Sequence, residues 1–321
     1  MNNFLKITLG LTVSVVCLFL AFKDFRWTDL INALANADWI WLIPAFLLSL
    51  LSYIFRSMRW KILLSPIKKI KLKDVFIVLT FGFFVNNILP LRLGELARVY
   101  ALKKLEDVPL SSGLGSVALE RISDFIGLLF VMFLAMPILP HGRIPIQQVI
   151  VLMIIGIALV LGLSIFFERK GKHLQKIPGI FGKIFGFLNN ITRGFSALKS
   201  PQKIILTVLA ATLIWTTDIC TMAVVSKVFG LNLSLLQAAA VIVGIAFGVM
   251  IPAAPGYVGT YEFFAKETLV FLGFPAAPAL SFILVIHFFQ VLVTILFAFP
   301  GMLKVGLSGI KFKLENKLDS E

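Results

Sequence analysis

Reactive and metal-binding residues are scarce in this sequence. It holds two cysteines, Cys17 and Cys220, both inside apolar runs, and three scattered histidines, His141, His173 and His287. Two distant cysteines make no disulfide framework, and histidines without ligand spacing make no zinc motif, so no metal and no cofactor is expected. Charge is also thin, at 14% of residues. The longest comparatively polar stretch, Glu168 to Lys203, is too short for a separate soluble domain. No nucleotide-binding motif is visible, so any transport would be energy-independent, ion-coupled or driven by a partner.

What remains is apolar. A hydrophobic fraction of 59% and a mean hydropathy of +0.97 lie outside the soluble range. A chain of 321 residues has room for several spans of about 20 residues each. The fold class is therefore all-α, a polytopic helical membrane protein of about eight membrane segments in one domain. The formal charge of +14 suits lysine and arginine gathered in cytoplasmic loops against anionic lipid, and not nucleic acid.

Along the chain, Phe4 to Phe22 reads as a retained first span, and Trp27 to Asn36 as a short interfacial helix. A second span runs from Asp38 to about Phe55, followed by a basic loop from Arg56 to Lys73. Residues 75–104 start as a membrane run that breaks at Asn86, Asn87 and Pro90. Asp107 with Pro109 then marks the start of a helix to about Met136, and a further span covers about Val149 to Phe167. Residues 168–203 carry apolar side chains every three or four positions between cations. That pattern fits a basic amphipathic helix on the cytoplasmic leaflet or a flexible loop. A span from Ile204 to Val225 contains Asp218. Residues 236–274 break at Pro252 and Pro255, and a last span ends near Pro300.

If each broken segment returns to the side it entered from, four basic blocks holding 23 of the 30 lysines and arginines share one side. That places both termini in the cytoplasm. The two breaks then enter from opposite sides. They also share a pattern: Phe81-Gly82, Pro90, Gly94 and Glu95 beside Phe247-Gly248, Pro255, Gly259 and Glu262. Similar interrupted segments of opposite polarity point to an inverted repeat with a site near the midplane.

Charges at bilayer depth cost at least about 2.5–3.5 kcal/mol each, so they face a partner or a cavity. Glu120 and Asp124 share a helix face, with Arg121 beside them. Arg92, Glu95 and Arg98 step by three and would stack on one face of a helix. Two readings follow. One is a salt-bridge lattice such as Arg98–Glu120 or Arg121–Glu95 that fixes helix packing. The other is an arginine-lined pocket for a phosphate, which guanidinium grips bidentately. The helices after Gly94 and Thr260 would turn their amino ends to the same place. Gly256 and Gly259 allow close approach or positive φ, and the prolines stop the helix; a plain external loop would use the same residues. Asp218 could pair with Arg121 or Lys266, bind a proton or sit near the interface. His287 and Gln290 read more as packing residues than as members of a site.

The motifs N-N-I-L-P-L-R-L-G-E-L-A-R (Asn86–Arg98), E-R-I-S-D (Glu120–Asp124) and P-A-A-P-G-Y-V-G-T-Y-E (Pro252–Glu262) resemble the lysylphosphatidylglycerol synthase transmembrane region. That is the flippase-like domain of the multiple peptide resistance factor, also found in stand-alone form. The resemblance implies a prokaryotic plasma-membrane protein that moves or binds an anionic phospholipid or a polyprenyl-linked headgroup. Membrane lipids are then the expected partners; a lipid-modifying enzyme partner and self-association stay open. The aminoacyl-transferase domain of the full factor has no counterpart before Glu321, so lysyl transfer and enzyme activity are not expected of this chain. Competing readings are an ion-coupled small-molecule transporter, a membrane enzyme using Glu120 or Asp124 as base, and a non-catalytic assembly partner.

Overall fold

A computed structural model describes residues 3–23, 25–89, 92–138, 151, 162 and 200–318. The described residues are helical, with ten α-helices and no strand among them. Four stretches are long and apolar enough to cross a membrane: Trp39–Leu64, Leu110–Ile138, Pro201–Val228 and Ala276–Gly306. Two shorter apolar helices, Gly10–Phe22 and Leu235–Met250, accompany them. Fewer full-length spans are therefore described than the eight segments expected. Both broken segments consist of pieces shorter than the roughly 20 residues a crossing needs. The expected span at 149–167 and the amphipathic segment at 168–203 lie outside the described residues, Ser200 onward excepted.

Helix α1 is Asn3–Phe22 and α2 is Trp27–Ala35, the short helix expected there. Asp38 caps a 3-10 turn at Trp39–Trp41, and α3 follows from Leu42 to Leu64. This helix runs nine residues past the expected end, so Arg56, Arg59 and Lys61 belong to a helix and not to a loop. A short gap leads to α4 (Leu72–Ile88) and α5 (Gly94–Glu106). Asp107 does not start the next helix. With φ of 51° it closes α5 in the left-handed region, and Pro109 stands at the head of α6 (Leu110–Ala135). Beyond the undescribed stretch come α7 (Pro201–Val228), capped by Ser200, and α8 (Leu235–Met250), opened by a capping box of Ser234 and Gln237. Then follow α9 (Thr260–Phe271) and the long α10 (Ala276–Leu318), which passes through Pro300.

Two helical hairpins are packed in the same way. In α4–α5, a Cβ on Gly82 would lie 2.9 Å from the Gly94 carbonyl oxygen and 2.8 Å from Arg98 Cβ. In α8–α9, a Cβ on Gly248 would lie 2.6 Å from the Thr260 carbonyl oxygen and 3.1 Å from Phe264 Cδ2. In both hairpins the glycine meets the first residue of the returning helix twelve positions on, and a side chain sixteen positions on. Helix α10 orients the two. Lys304 Nζ is 2.6 Å from Asp74 Oδ1 at the base of the first hairpin, while the second hairpin ends just before Ala276. The hairpin tips thus approach each other from opposite ends of α10.

Apolar packing forms two clusters. One, around Trp60, Leu79, Leu102 and Val117, joins α3 to the first hairpin and α6. The other, around Met222, Ala239, Leu269 and Phe282, joins α7 and α10 to the second hairpin. The polar side chains considered next are held on helices that contribute to these clusters.

Candidate functional site

Helix α6 sets out Glu120, Arg121 and Asp124 within little more than one turn, and two neighbouring helices supply cations. Arg98 of α5 donates from Nη1 to Glu120 Oε1 at 3.2 Å, and Arg121 donates from Nη2 to the same oxygen at 2.6 Å. Arg59 of α3, missed as a site residue in the sequence, reaches Asp124 at 2.6 Å and Glu120 at 3.8 Å. Arg121 also faces Asp124 at 3.2 Å and Glu95 at 3.5 Å. Three arginines therefore balance three carboxylates. Both sequence-expected pairs, Arg98–Glu120 and Arg121–Glu95, are present. The Arg59 and Glu120 side chains are 0% and 1% exposed, against 34% for Arg121. Arg98 also lies 4.7 Å above the Trp60 ring, whose Nε1 donates to Ser116 at 3.1 Å.

Beside this lattice is a cavity of about 310 Å³, lined from α3, α4, α7, α8, α10 and the second hairpin tip. Its ion pair is Arg56–Asp218, at 2.5 Å, with Ser52 donating to the other Asp218 oxygen at 2.6 Å. Asp218 therefore takes neither Arg121 nor Lys266 as partner. Lys266 is buried elsewhere, its ammonium on the Leu20 and Ala21 carbonyls and 3.0 Å from Glu267. Asp218 is ten residues from the end of α7, about 15 Å along the axis, well inside the span. Tyr53, Tyr257, Tyr261, Gln290 and Thr294 add hydroxyls and an amide to the wall. Ser52, Arg56 and Arg59 follow one another at helical spacing on α3, a signal visible once that helix is extended past Phe55.

The hairpin tips close one end of this space. Arg92 has φ of 55° and precedes α5, so it does not stack with Glu95 and Arg98 as a continuous helix would require. It turns instead to the other hairpin. Its Nη2 donates to the Val249 carbonyl at 2.7 Å, and its guanidinium lies 5.8 Å from the Tyr257 ring centre. No carboxylate among the described residues is within ion-pairing distance of it. A second cavity of about 190 Å³ lies here, lined by Arg92, Asn86 and Pro252 through Ala254, and it shares Val249 and Tyr257 with the first.

The break residues divide between support and lining. Asn86 Oδ1 accepts the Gly94 N–H at 2.7 Å and so ties the first hairpin together. Asn87 lines the larger cavity, and its carbonyl would be 3.5 Å from a Cβ on Gly256. Pro90 lies outside the described residues. Pro255 opens a 3-10 turn in which Gly256 has φ of 66°, and Gly259 has φ of 97°. Both values favour glycine. Glu262 caps α9: its Oε2 accepts the Gly259 N–H at 2.6 Å, while Oε1 is 2.5 Å from His287 Nδ1. His287 stacks on Tyr261 at 4.0 Å and, with Gln290, lines the cavity, so both belong to the site as well as to the packing. Glu262 itself stands behind His287. Thus the structure groups Glu95, Arg98, Glu120, Arg121 and Asp124, puts Arg92 and Gly256 at the tips, and assigns Gly259 and Glu262 to the cap. Among the described residues no three metal-binding side chains converge.

Comparison with known proteins agrees with this membrane architecture. A UPF0104 membrane protein of Methanothermobacter thermautotrophicus is 23% identical over 291 residues, covering 81% of this chain and 82% of the relative. Another, of Methanocaldococcus jannaschii, is 30% identical over 122 residues, covering 37% of this chain and only 36% of the relative. A protein of Haloferax volcanii named glycosyltransferase AglD is 23% identical over 94% of this chain, which spans about half (55%) of that relative's length. No solved structure matches. Residues 7–298 match the family described as the lysylphosphatidylglycerol synthase TM region, and this multi-pass membrane chain belongs to that family.

Proposed function

We propose that this protein binds a lipid with an anionic headgroup and carries it between the leaflets. The single observation behind this reading is Arg92. Among the arginines described on α3, α5 and α6 and at the hairpin tip, it is the one whose charge no carboxylate balances. It sits where the two tips meet and lines the smaller cavity, which shares Val249 and Tyr257 with the larger one. A guanidinium so placed favours a phosphate over water or carbonyl. The shared glycine spacing of the hairpins and their opposed directions support treating 75–104 and 236–274 as re-entrant halves of an inverted repeat, within a total of about eight segments. Rocking of the halves would then open the cavity to one leaflet at a time. The excess of lysine and arginine on the side of the α4–α5 base supports cytoplasmic termini in a prokaryotic plasma membrane.

The family name concerns a lysylated phospholipid, and one relative is named for sugar transfer, so the likeness extends to proteins named for lipid and sugar chemistry. On our reading this chain handles a lipid and does not modify it; covalent chemistry would fall to a separate lipid-modifying enzyme. The test is reconstitution into vesicles with acyl-labelled anionic lipids, comparing the native chain with Arg92→Ala and Asp218→Asn. Slower exchange in both variants is expected, and equal rates in all three samples would overturn the proposal. The buried His287–Glu262 pair favours one second reading, an ion-coupled transporter of a small anion. Uptake of such an anion into vesicles that exchange no lipid would support it.

A further inference from the structure

Beyond a phosphate at Arg92, the larger cavity must hold the rest of a headgroup, and its charges restrict what that is. The carboxylate on its wall, Asp218, is already bound by Arg56 and Ser52. Glu262 does not line it, and both of its oxygens are taken by His287 and by the amino end of α9. Three of the aromatic rings that could hold a cation already have a partner on one face. Arg92 lies over Tyr257 at 5.8 Å, Arg56 over Phe83 at 5.9 Å, and His287 is stacked on Tyr261. A positive group entering here would meet the Arg56 guanidinium and, among the described residues, no free counter-charge, at a depth where an unpaired charge is costly. The chamber does offer hydroxyl oxygens and amides. Tyr53 and Thr294 share one hydrogen bond of 2.6 Å, and Tyr261 donates to Gln290 Oε1 at 3.2 Å. Each of those oxygens keeps lone-pair capacity, and the Gln290 amide keeps its N–H donors. Arg92, which meets no carboxylate among the described residues, in the adjoining cavity and a wall without net charge in the larger one together fit a ligand of net charge −1.

We infer that the headgroup is an uncharged polyol joined to its lipid through a phosphate, glycerol or a sugar, and not an aminoacyl cation; the inference rests on the lipid-binding reading above. A volume of about 310 Å³ is at the small end of ligand cavities, which suits one such unit.

The experiment is equilibrium lipid binding to the purified full chain in phosphatidylcholine nanodiscs, read by native mass spectrometry. The probes are phosphatidylglycerol, a hexosyl-phosphoryl polyprenol and lysyl-phosphatidylglycerol. At least one polyol probe is expected to bind about tenfold tighter than the lysyl lipid or better. The tighter of the two polyols identifies glycerol or sugar as the carried group. Gln290→Glu, which adds an unpaired carboxylate to the wall, is expected to move the ratio about tenfold toward the lysyl lipid. Tyr261→Phe, which removes one hydroxyl and little else, is expected to weaken the polyol probes alone. A lysyl lipid bound as tightly as both polyols by the native chain would overturn the inference, as would ratios unmoved by both variants. Arg92→Gln separates this from the underlying reading. It is expected to weaken all three probes alike, and binding that is absent throughout or indifferent to Arg92→Gln would overturn the lipid-phosphate reading itself.

Discussion

Two sets of arginine–carboxylate pairs lie close together in this molecule, and their surroundings differ. In the lattice on α6, Arg59 and Glu120 are 0% and 1% exposed, one Glu120 oxygen is shared by three arginines, and apolar packing closes in around Trp60. In the cavity, Arg56 and Asp218 are 22% and 26% exposed, and the pair is single. The same chemistry therefore has two consequences. A pair sealed in low dielectric is expensive to separate, because each ion would be left without water or counter-charge. A pair that borders a cavity keeps water within reach and can open at far lower cost. The lattice fixes α3, α5 and α6 to one another; the cavity pair is where movement of charge is feasible.

That contrast can be broken by substitution. The largest effect is expected from Glu120→Ala, which leaves Arg98 buried without its carboxylate and takes one partner each from Arg59 and Arg121. A loss of about 3–5 kcal/mol is expected, read as a lower midpoint in thermal unfolding of the detergent-solubilised protein. Next comes Gly256→Ala, which forces a side chain into φ of 66° at the tip. About 1–2 kcal/mol is expected, together with slower lipid exchange, since the tip borders both cavities. Asp218→Asn leaves Arg56 beside the cavity and near Ser52, and is expected to cost about 1–2 kcal/mol but to change lipid binding more than stability, because it frees Arg56. If it unfolds the protein as severely as Glu120→Ala, the distinction between the two pairs collapses. Smallest is Lys304→Ala at the exposed Asp74 pair, where a stability change within about 0.5 kcal/mol and unchanged exchange are expected. A large effect there would show that the hairpin base is as sensitive as the lattice.

Much of this was legible in the residues. Glu120 and Asp124 had to share a face because four residues make about one helical turn. The prolines at 252 and 255 end α8 because proline lacks the N–H and crowds the preceding turn. Arg56 and Arg59 were hidden for a physical reason. A cation-rich stretch after an apolar run looks like a loop at the membrane edge, yet here the helix continues and the cations turn inward to partners 60 to 160 residues away. Arg92 departs from its sequence pattern for a related reason. Spacing of three stacks residues only if the helix includes them all, and α5 begins two residues later.

By itself, the sequence determined that the chain is helical, lies in a membrane, and breaks its backbone twice around glycine and proline, since these follow from local hydrophobicity and backbone sterics. Only the tertiary structure decided which charges neutralise one another and that Arg92 meets no carboxylate among the described residues. Ion pairing inside a membrane depends on distances between helices far apart in sequence, and no local pattern encodes them.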